Sequence, residues 1–388
     1  MNAQAIPFND LHPGEDAADV QAAIQRVIDR GWFILGPEVE AFEAEFARSV
    51  GAEFACAVSS CTTALHLALL VAGVEPGDEV ITVSHSYIAT ANSIRYCGAL
   101  PVFVDIEPAG YNMDPSLLEA ARTERTRAVL CVHQMGMPCD LPAILAFARR
   151  HGLPLIEDAA CAAGSEILWQ GQWQPIGRPH GDAACFSFHP RKVMSTGDGG
   201  MITTARPDWD RRLRLLRQHA MSVPDRVRHA SAQVVFESYD SVGYNYRLTD
   251  IQAAVGREQL KRLPEFVVRR RELAARYVEL LAGIDGLGLP AEPAWARTNW
   301  QSYCVRLPDG CDQRQVMQSM LERGIGTRRG IMCSHREPAY ASMPPRQPLP
   351  HSEQAQERCV LLPLYHDMSE DDQQAVTAAL RDACAVRT

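Results

Sequence analysis

The stretch 185-CFSFHPRKVMSTGDGGMITT-204 decides how this chain is built. An apolar run ending in Cys185-Phe186-Ser187-Phe188 leads into a segment with one lysine, Lys192. Behind it, Gly197-Asp198-Gly199-Gly200 is too rich in glycine for a helix interior. The apolar run then resumes at 200-GMITT-204. Residues 182–188 and 200–204 therefore read as neighbouring strands joined by a loop that carries the lysine. Upstream, "EVITV" (79–83), "PVFVDI" (101–106), "AVLCVH" (128–133) and "LPLIEDA" (153–159) read as further buried strands. Between them, "TTALHLALLVAG" (62–73) and "LPAILAFARRHG" (141–152) carry apolar residues at helical spacing. Such alternation predicts an α/β fold around a mainly parallel sheet covered on both faces, with 182–188 and 200–204 closing it.

Downstream, Thr249 to Ala282 reads as a helical region interrupted by Pro264, and Thr249 with Gln252 fits a capping box. The Pro/Gly-rich 283-GIDGLGLPAEP-293 marks a change. "QSYCVRL" after it reads as a strand, "CDQRQVMQSMLERG" as a helix and "SEDDQQAVTAALRDAC" as a capped terminal helix, which together predict a smaller α+β domain. With 388 residues the chain exceeds the size at which single cores stop growing. The division expected is a large domain over 1–260, including the N-terminal segment, and a connecting helix with a small domain over 261–388. The proline-rich 336–352 reads as a surface loop, and no internal repeat is found.

Net charge is −9 and charged residues make up 22% of the chain, so nucleic acid is not expected as a partner. The run Arg269-Arg270-Arg271 reads as a solvated helix face. Twelve cysteines are dispersed without zinc spacing, which predicts reduced core residues and no metal site. No run of about 18 apolar residues predicts a membrane span. The opening "MNAQAIPFNDLHPGED" has no basic and apolar leader pattern, so a cytoplasmic location is expected.

In open α/β sheets ligands sit beyond the carboxyl ends of the strands. Asp158 closes "LPLIED", Ser187 ends "ACFS", and Lys192 lies just past it. Each alone has a bland explanation: a helix cap or a surface charge. Together they match the needs of pyridoxal 5′-phosphate (PLP): a lysine for a Schiff base and an acid for the pyridinium nitrogen. The phosphate needs hydroxyls and N–H groups at a helix N-terminus, which "SSCTTALHLALL" supplies, since Ser60 and Thr62 sit where a turn enters a helix. Tyr87, in "SHSYIATANSI", offers a ring to stack on the cofactor.

At this point the chain resembles the DegT-type sugar aminotransferases, a branch of the fold-type-I PLP enzymes. The likeness runs through "ILGPEVEAFEAEFA", "GDEVITVSHSYIATANSI", "PVFVDIEPAGYNMDP", "EDAACAAGSE", "FSFHPRKVMSTGDGGMITT", "GYNYRLTDIQAAVGREQLKRL" and "VLLPLYHDMSEDD". It implies a large domain with a mainly parallel, seven-stranded type of sheet. It also implies that Lys192 forms the Schiff base and, when freed, moves a proton, while Asp158 pairs with the ring nitrogen. Ser187, Cys61 and Thr62 would hold the phosphate and Tyr87 would stack on the ring. Asn245 in "GYNYRL" would reach the phosphate of a second copy, making a homodimer with shared sites.

Two positions depart from the family. Cys61 stands where glycine is usual, which predicts a phosphate turn altered by the poor tolerance of cysteine for positive φ. Cys161 stands where glutamine or histidine is usual beside the phenolic oxygen, so that hydrogen bond would be lost or taken by water. His189, His335 and Arg247 are candidates for lining the substrate pocket, each with packing as the competing role, and Glu157 reads as structural. Substrate contacts are expected from 7–14, 219–240 and 328–340. The implied reaction moves an amino group from L-glutamate or L-glutamine to a keto-sugar, nucleotide-linked in the leading reading. Amination of a cyclitol or other natural-product ketone, PLP-dependent sugar dehydration and a non-catalytic PLP-binding regulator stay open. Dehydratases of this kind typically carry histidine where Lys192 stands.

Overall fold

Short apolar runs become a sheet buried on both sides, because neighbouring residues point into different cores. In Ala183–Ser187, for example, Ala183 and Cys185 pack into one core and Ala184 and Phe186 into the other. The structure, a computed structural model, describes residues 5–10, 16–223, 233–234 and 236–385. Its first five strands are β1 (Phe54–Val58), β2 (Glu79–Val83), β3 (Leu100–Val104), β4 (Thr126–Val132) and β5 (Leu155–Asp158). A hairpin of β6 (Glu166–Trp169) and β7 (Gln172–Pro175) follows, then β8 (Ala183–Ser187) and β9 (Gly200–Thr204).

The seven-stranded sheet has the order β1-β9-β8-β5-β4-β2-β3. All its strands run parallel except β9, which is antiparallel to both β1 and β8. The carboxyl ends of β1, β2, β4, β5 and β8 therefore share one edge, and the start of β9 returns to it. Helices α1 (Ala17–Arg30), α2 (Pro37–Val50), α3 (Cys61–Val71), α4 (Ala89–Tyr96), α5 (Leu118–Ala121), α6 (Leu141–His151) and α7 (Pro207–Leu216) surround it. Phe42 and Phe46 of α2 meet Phe186 and Phe188 on one face; Leu65 and Leu69 of α3 meet Ile156 and Ile202 on the other.

The long helix Asp250–Leu281 starts at a capping box in which Thr249 and Gln252 satisfy each other's backbone. Pro264 does not interrupt it. The proline lies on the exposed side, where the released Leu260 carbonyl can turn to water, while Leu263, Phe266 and Val267 stay anchored in the sheet core. Farther along, Leu273, Tyr277 and Leu281 enter a second core. That core lies against a small sheet of β11 (Tyr303–Arg306), β13 (Cys359–Leu362) and β12 (Arg328–Arg329); the two-residue β10 (Ala296–Arg297) pairs with β6. Helices Gln313–Glu322 and Glu370–Ala385 complete it.

Two expectations about the surface fail. Arg270 is buried, not solvated, and donates to the carbonyls of Trp300 and Leu364 at 3.0 and 2.9 Å. Its guanidinium satisfies turn carbonyls where the two cores meet. Residues 336–352 are not a plain surface loop either: Tyr340 and Leu349 are buried with Phe103. Asp105 accepts from the backbone of His351 and Ser352, binding this segment to the end of β3. Among the described residues no disulfide joins any of the twelve cysteines, and all but Cys161 and Cys311 are buried. Among the described residues no helix is long and apolar enough to cross a membrane.

Candidate active site

Lys192 sits in the excursion between β8 and β9. Phe188 closes this loop, donating its N–H to the carbonyl of Gly199 and accepting from Thr196 N–H at 2.9 and 3.0 Å. A turn from His189 O to Lys192 N, 2.8 Å, sets the lysine at its start. Its Nζ lies 3.0 Å from the Sγ of Cys161, on the loop that leaves β5 three residues after Asp158. Burial opposes the charge on Lys192, but the Cys161 sulfur beside it and Asp158 outweigh that and hold its pKa above the usual value.

Asp158 ends β5 and is buried. Its Oδ1 accepts from Ala160 N–H at 3.2 Å and its Oδ2 from the Thr90 hydroxyl at 2.7 Å. Burial raises its pKa, and the Thr90 hydroxyl, the Ala160 N–H and Lys192 draw it back only in part. Next to it, Glu157 is fully buried and accepts from Gly181 N–H at 2.9 Å, with His133 Nε2 at 3.0 Å.

Where β1 ends, Ser60 caps α3: its Oγ accepts from Thr63 N–H, and Thr63 Oγ1 accepts from Ser60 N–H. Helix geometry leaves the N–H groups of Cys61 and Thr62 without intrahelical acceptors, at the positive end of the helix dipole. Cys61 is the first residue of α3 and is absent from the positive-φ positions. The expected strain at Cys61 is thus overturned, since the chain turns at Ser60 in extended backbone (φ −166°, ψ 164°). The glycine that this turn does need is Gly200, the first residue of β9. A Cβ there would come within 2.5 Å of the Ser60 carbonyl group and 2.7 Å of Cys61 N.

Ser187, paired with Gly200 at the end of β8, is also buried. Tyr87 precedes α4 and is 63% exposed. Asn245 is exposed and accepts from Arg247 Nε at 2.9 Å. The loop holding both is fixed to the end of β1 by Ser59 N–H donating to Tyr246 O. His189 turns back to accept from Arg191 N–H through Nδ1. His335 is engaged at both ring nitrogens, with Ser84 Oγ at 2.7 Å and Glu353 Oε1 at 3.1 Å. Lys192, Asp158 and Cys161 thus come together beside Ser187 and the N-terminus of α3, whereas Asn245, Arg247 and His335 stand in contacts of their own. Of the three loops expected to touch substrate, residues 11–14, 224–232 and 235 lie outside the described residues.

The model of the DegT/DnrJ/EryC1/StrS aminotransferase family matches residues 15–381. The chain belongs to this family. Among its relatives, the spore coat polysaccharide biosynthesis protein SpsC of Bacillus subtilis (strain 168) is 40% identical over 365 residues, 92% of each chain. The structure of S. venezuelae DesV in complex with a ketimine intermediate superposes with a TM-score of 0.90 at 37% identity, covering 100% of both chains. DesI, solved in the presence of its TDP-sugar product, gives 0.88 at 31% identity, over 98% of this chain and 93% of that one. The protein is an aminotransferase, and its cofactor is PLP.

The residues of this aminotransferase fit that cofactor. An amine beyond β8, a buried carboxylate at the end of β5 and a helix N-terminus with two free N–H groups beyond β1 all stand on one edge of the sheet. Sequence reading missed Thr90, which holds Asp158, and the segment Thr298–Gln301. Asn299 Nδ2 donates to the carbonyls of Cys161 and Ala163, both at 2.8 Å. Gln301 accepts from Val193 N–H and donates to Arg191 O, gripping both sides of Lys192. Only the positive φ of Trp300, 51°, singles this segment out, and a sequence does not display that.

Proposed function

We propose that this enzyme moves an amino group from L-glutamate or L-glutamine to a nucleotide-linked keto-sugar, in sites shared between two copies of the chain. The observation that carries the reading is the pairing of Lys192 with the β5 loop next to Asp158, through the 3.0 Å contact to Cys161. The sugar class is supported by the name of the relative SpsC and by the TDP-sugar product in whose presence DesI was solved. Twelve cysteines with no disulfide among them suit a reducing cytoplasm.

Bound PLP would supply a carbonyl for the amine to condense with and a protonated ring that takes up electrons as the donor's Cα–H bond breaks. Lys192 would hold the cofactor between turnovers; once released, its Nζ would take the proton from the donor's Cα and deliver it to the cofactor's C4′ carbon. The Asp158 carboxylate would keep a proton on the ring nitrogen. The Cys61 and Thr62 N–H groups, with the Thr62 and Ser187 hydroxyls, would hold the phosphate, and Tyr87 would cover one face of the ring. Asn245, exposed on its own chain, would complete the phosphate site of the second copy.

An absorbance titration with PLP, followed by L-glutamate and L-glutamine, tests this on wild type and Lys192→Ala. The expected result is a Schiff-base band that either donor bleaches to the amine form and that the variant never makes. Keto-sugars should then restore the band. A band indifferent to both amino acids would overturn the choice of donor.

A further inference from the structure

Asp158 is held by a chain of hydroxyls that neither the family's expected roles nor the sequence reading includes. Thr90 Oγ1 lies 2.7 Å from Asp158 Oδ2 and 2.7 Å from the hydroxyl of Ser86. All three side chains are buried, at 1% exposure for Thr90, 2% for Ser86 and 5% for Asp158. Chemistry fixes the direction. An ionised carboxylate only accepts, so the single Thr90 proton goes to Asp158, and Thr90 must itself accept from Ser86. Threonine inside a helix commonly returns its hydroxyl bond to the carbonyl four residues back. Here it takes the side chain at that position and reaches across to another strand.

The same turn carries Tyr87, whose carbonyl accepts from Thr90 N–H at 3.1 Å. The first turn of α4 therefore connects two groups meant for one ring: the tyrosine for its face and the carboxylate for its nitrogen. With Ala160 N–H on Oδ1 and Thr90 on Oδ2, the plane of the Asp158 carboxylate is set, and lone pairs remain for the ring nitrogen.

We infer that Thr90, supported by Ser86, is a positioning residue that orients Asp158 toward the ring nitrogen of PLP and ties it to the turn bearing Tyr87. The inference rests on PLP occupying this site, so wild type runs in the same titration and shows separately whether the cofactor binds at all. The test is Thr90→Val, which keeps the shape and removes the hydroxyl, with Thr90→Ser as rescue and Ser86→Ala one link away. PLP affinity is read by absorbance titration, and the protonation of the Schiff base by pH titration of the band.

Thr90→Val is expected to bind PLP about tenfold more weakly, the effect of one hydrogen bond to a charged group. Its Schiff-base midpoint should move to higher pH, because a ring nitrogen less firmly protonated leaves the imine more basic. Thr90→Ser should return both toward wild type, and Ser86→Ala should show a smaller shift in the same direction. Wild-type affinity and midpoint in Thr90→Val would overturn the inference, as would a lower melting temperature with the midpoint unmoved.

Discussion

Single residues carry most of the chemistry, and they differ in how openly the sequence shows them. The positions of Lys192 and Asp158 at the carboxyl edge of the sheet were legible because strand ends and a glycine-rich loop frame them. Cys61 was misjudged: its departure from glycine looked like a backbone problem, yet the residue opens a helix and the close approach belongs to Gly200. Gly200→Ala should push the Ser60–Cys61 turn aside. We expect a loss of about 2 kcal/mol in stability together with weaker PLP binding, read by thermal melts and cofactor titration. Cys161 matters through its neighbour. The Cys161 sulfur helps hold the Lys192 pKa up against burial, so Cys161→Ala should lower that pKa and leave more neutral amine. Below the wild-type pKa, Schiff-base formation should then be faster in the variant, as stopped-flow absorbance at neutral pH would show. Equal rates would mean that the sulfur does not bias the amine.

At the scale of elements, strands and helices followed from apolar periodicity, but the joints between them did not. Periodicity reports which face is buried and not which carbonyl a buried arginine or glutamine will meet. Arg270 and Gln301 therefore looked ordinary in the sequence, while in the fold each bridges segments far apart along the chain. Gln301→Ala should lower kcat more than it lowers thermal stability, because it frees Arg191 O and Val193 N–H on either side of the lysine; steady-state kinetics beside melting curves would separate the two. The Asn245 loop has a joint of its own. His66 of α3 is buried among Tyr244, Tyr246 and Tyr96, with Nδ1 3.2 Å from the Tyr246 hydroxyl. Burial lowers its pKa from the ordinary 6.5 to about 4. The unfolded chain therefore binds a proton that the folded chain refuses. Stability contributed by neutral His66 is complete above pH 6.5 and lost as pH falls toward 4. His66→Gln should flatten that part of the acid denaturation profile.

For the molecule as a whole, the parallel sheet and a second, smaller core were readable from strand–helix alternation followed by a change of composition. How the two cores join was not, since Pro264 suggested a break where one helix runs unbroken into both. Asn245 belongs to this scale, since the role proposed for it needs a second chain. Asn245→Ala should leave the fold and the particle mass unchanged by light scattering while loosening PLP retention, and unchanged retention would argue for unshared sites. The single antiparallel strand has a consequence for the history of each molecule as well as for its finished form. Phe54 finds its ladder partner in Thr204, so β1 has no neighbour in the sheet until β9 has been made. On a ribosome most of the sheet can assemble while β1 waits, and pairing over so long a loop is slow to nucleate. The phosphate turn is thus among the last parts to form, and newly made chains should gain native-like secondary structure before they can take up their cofactor.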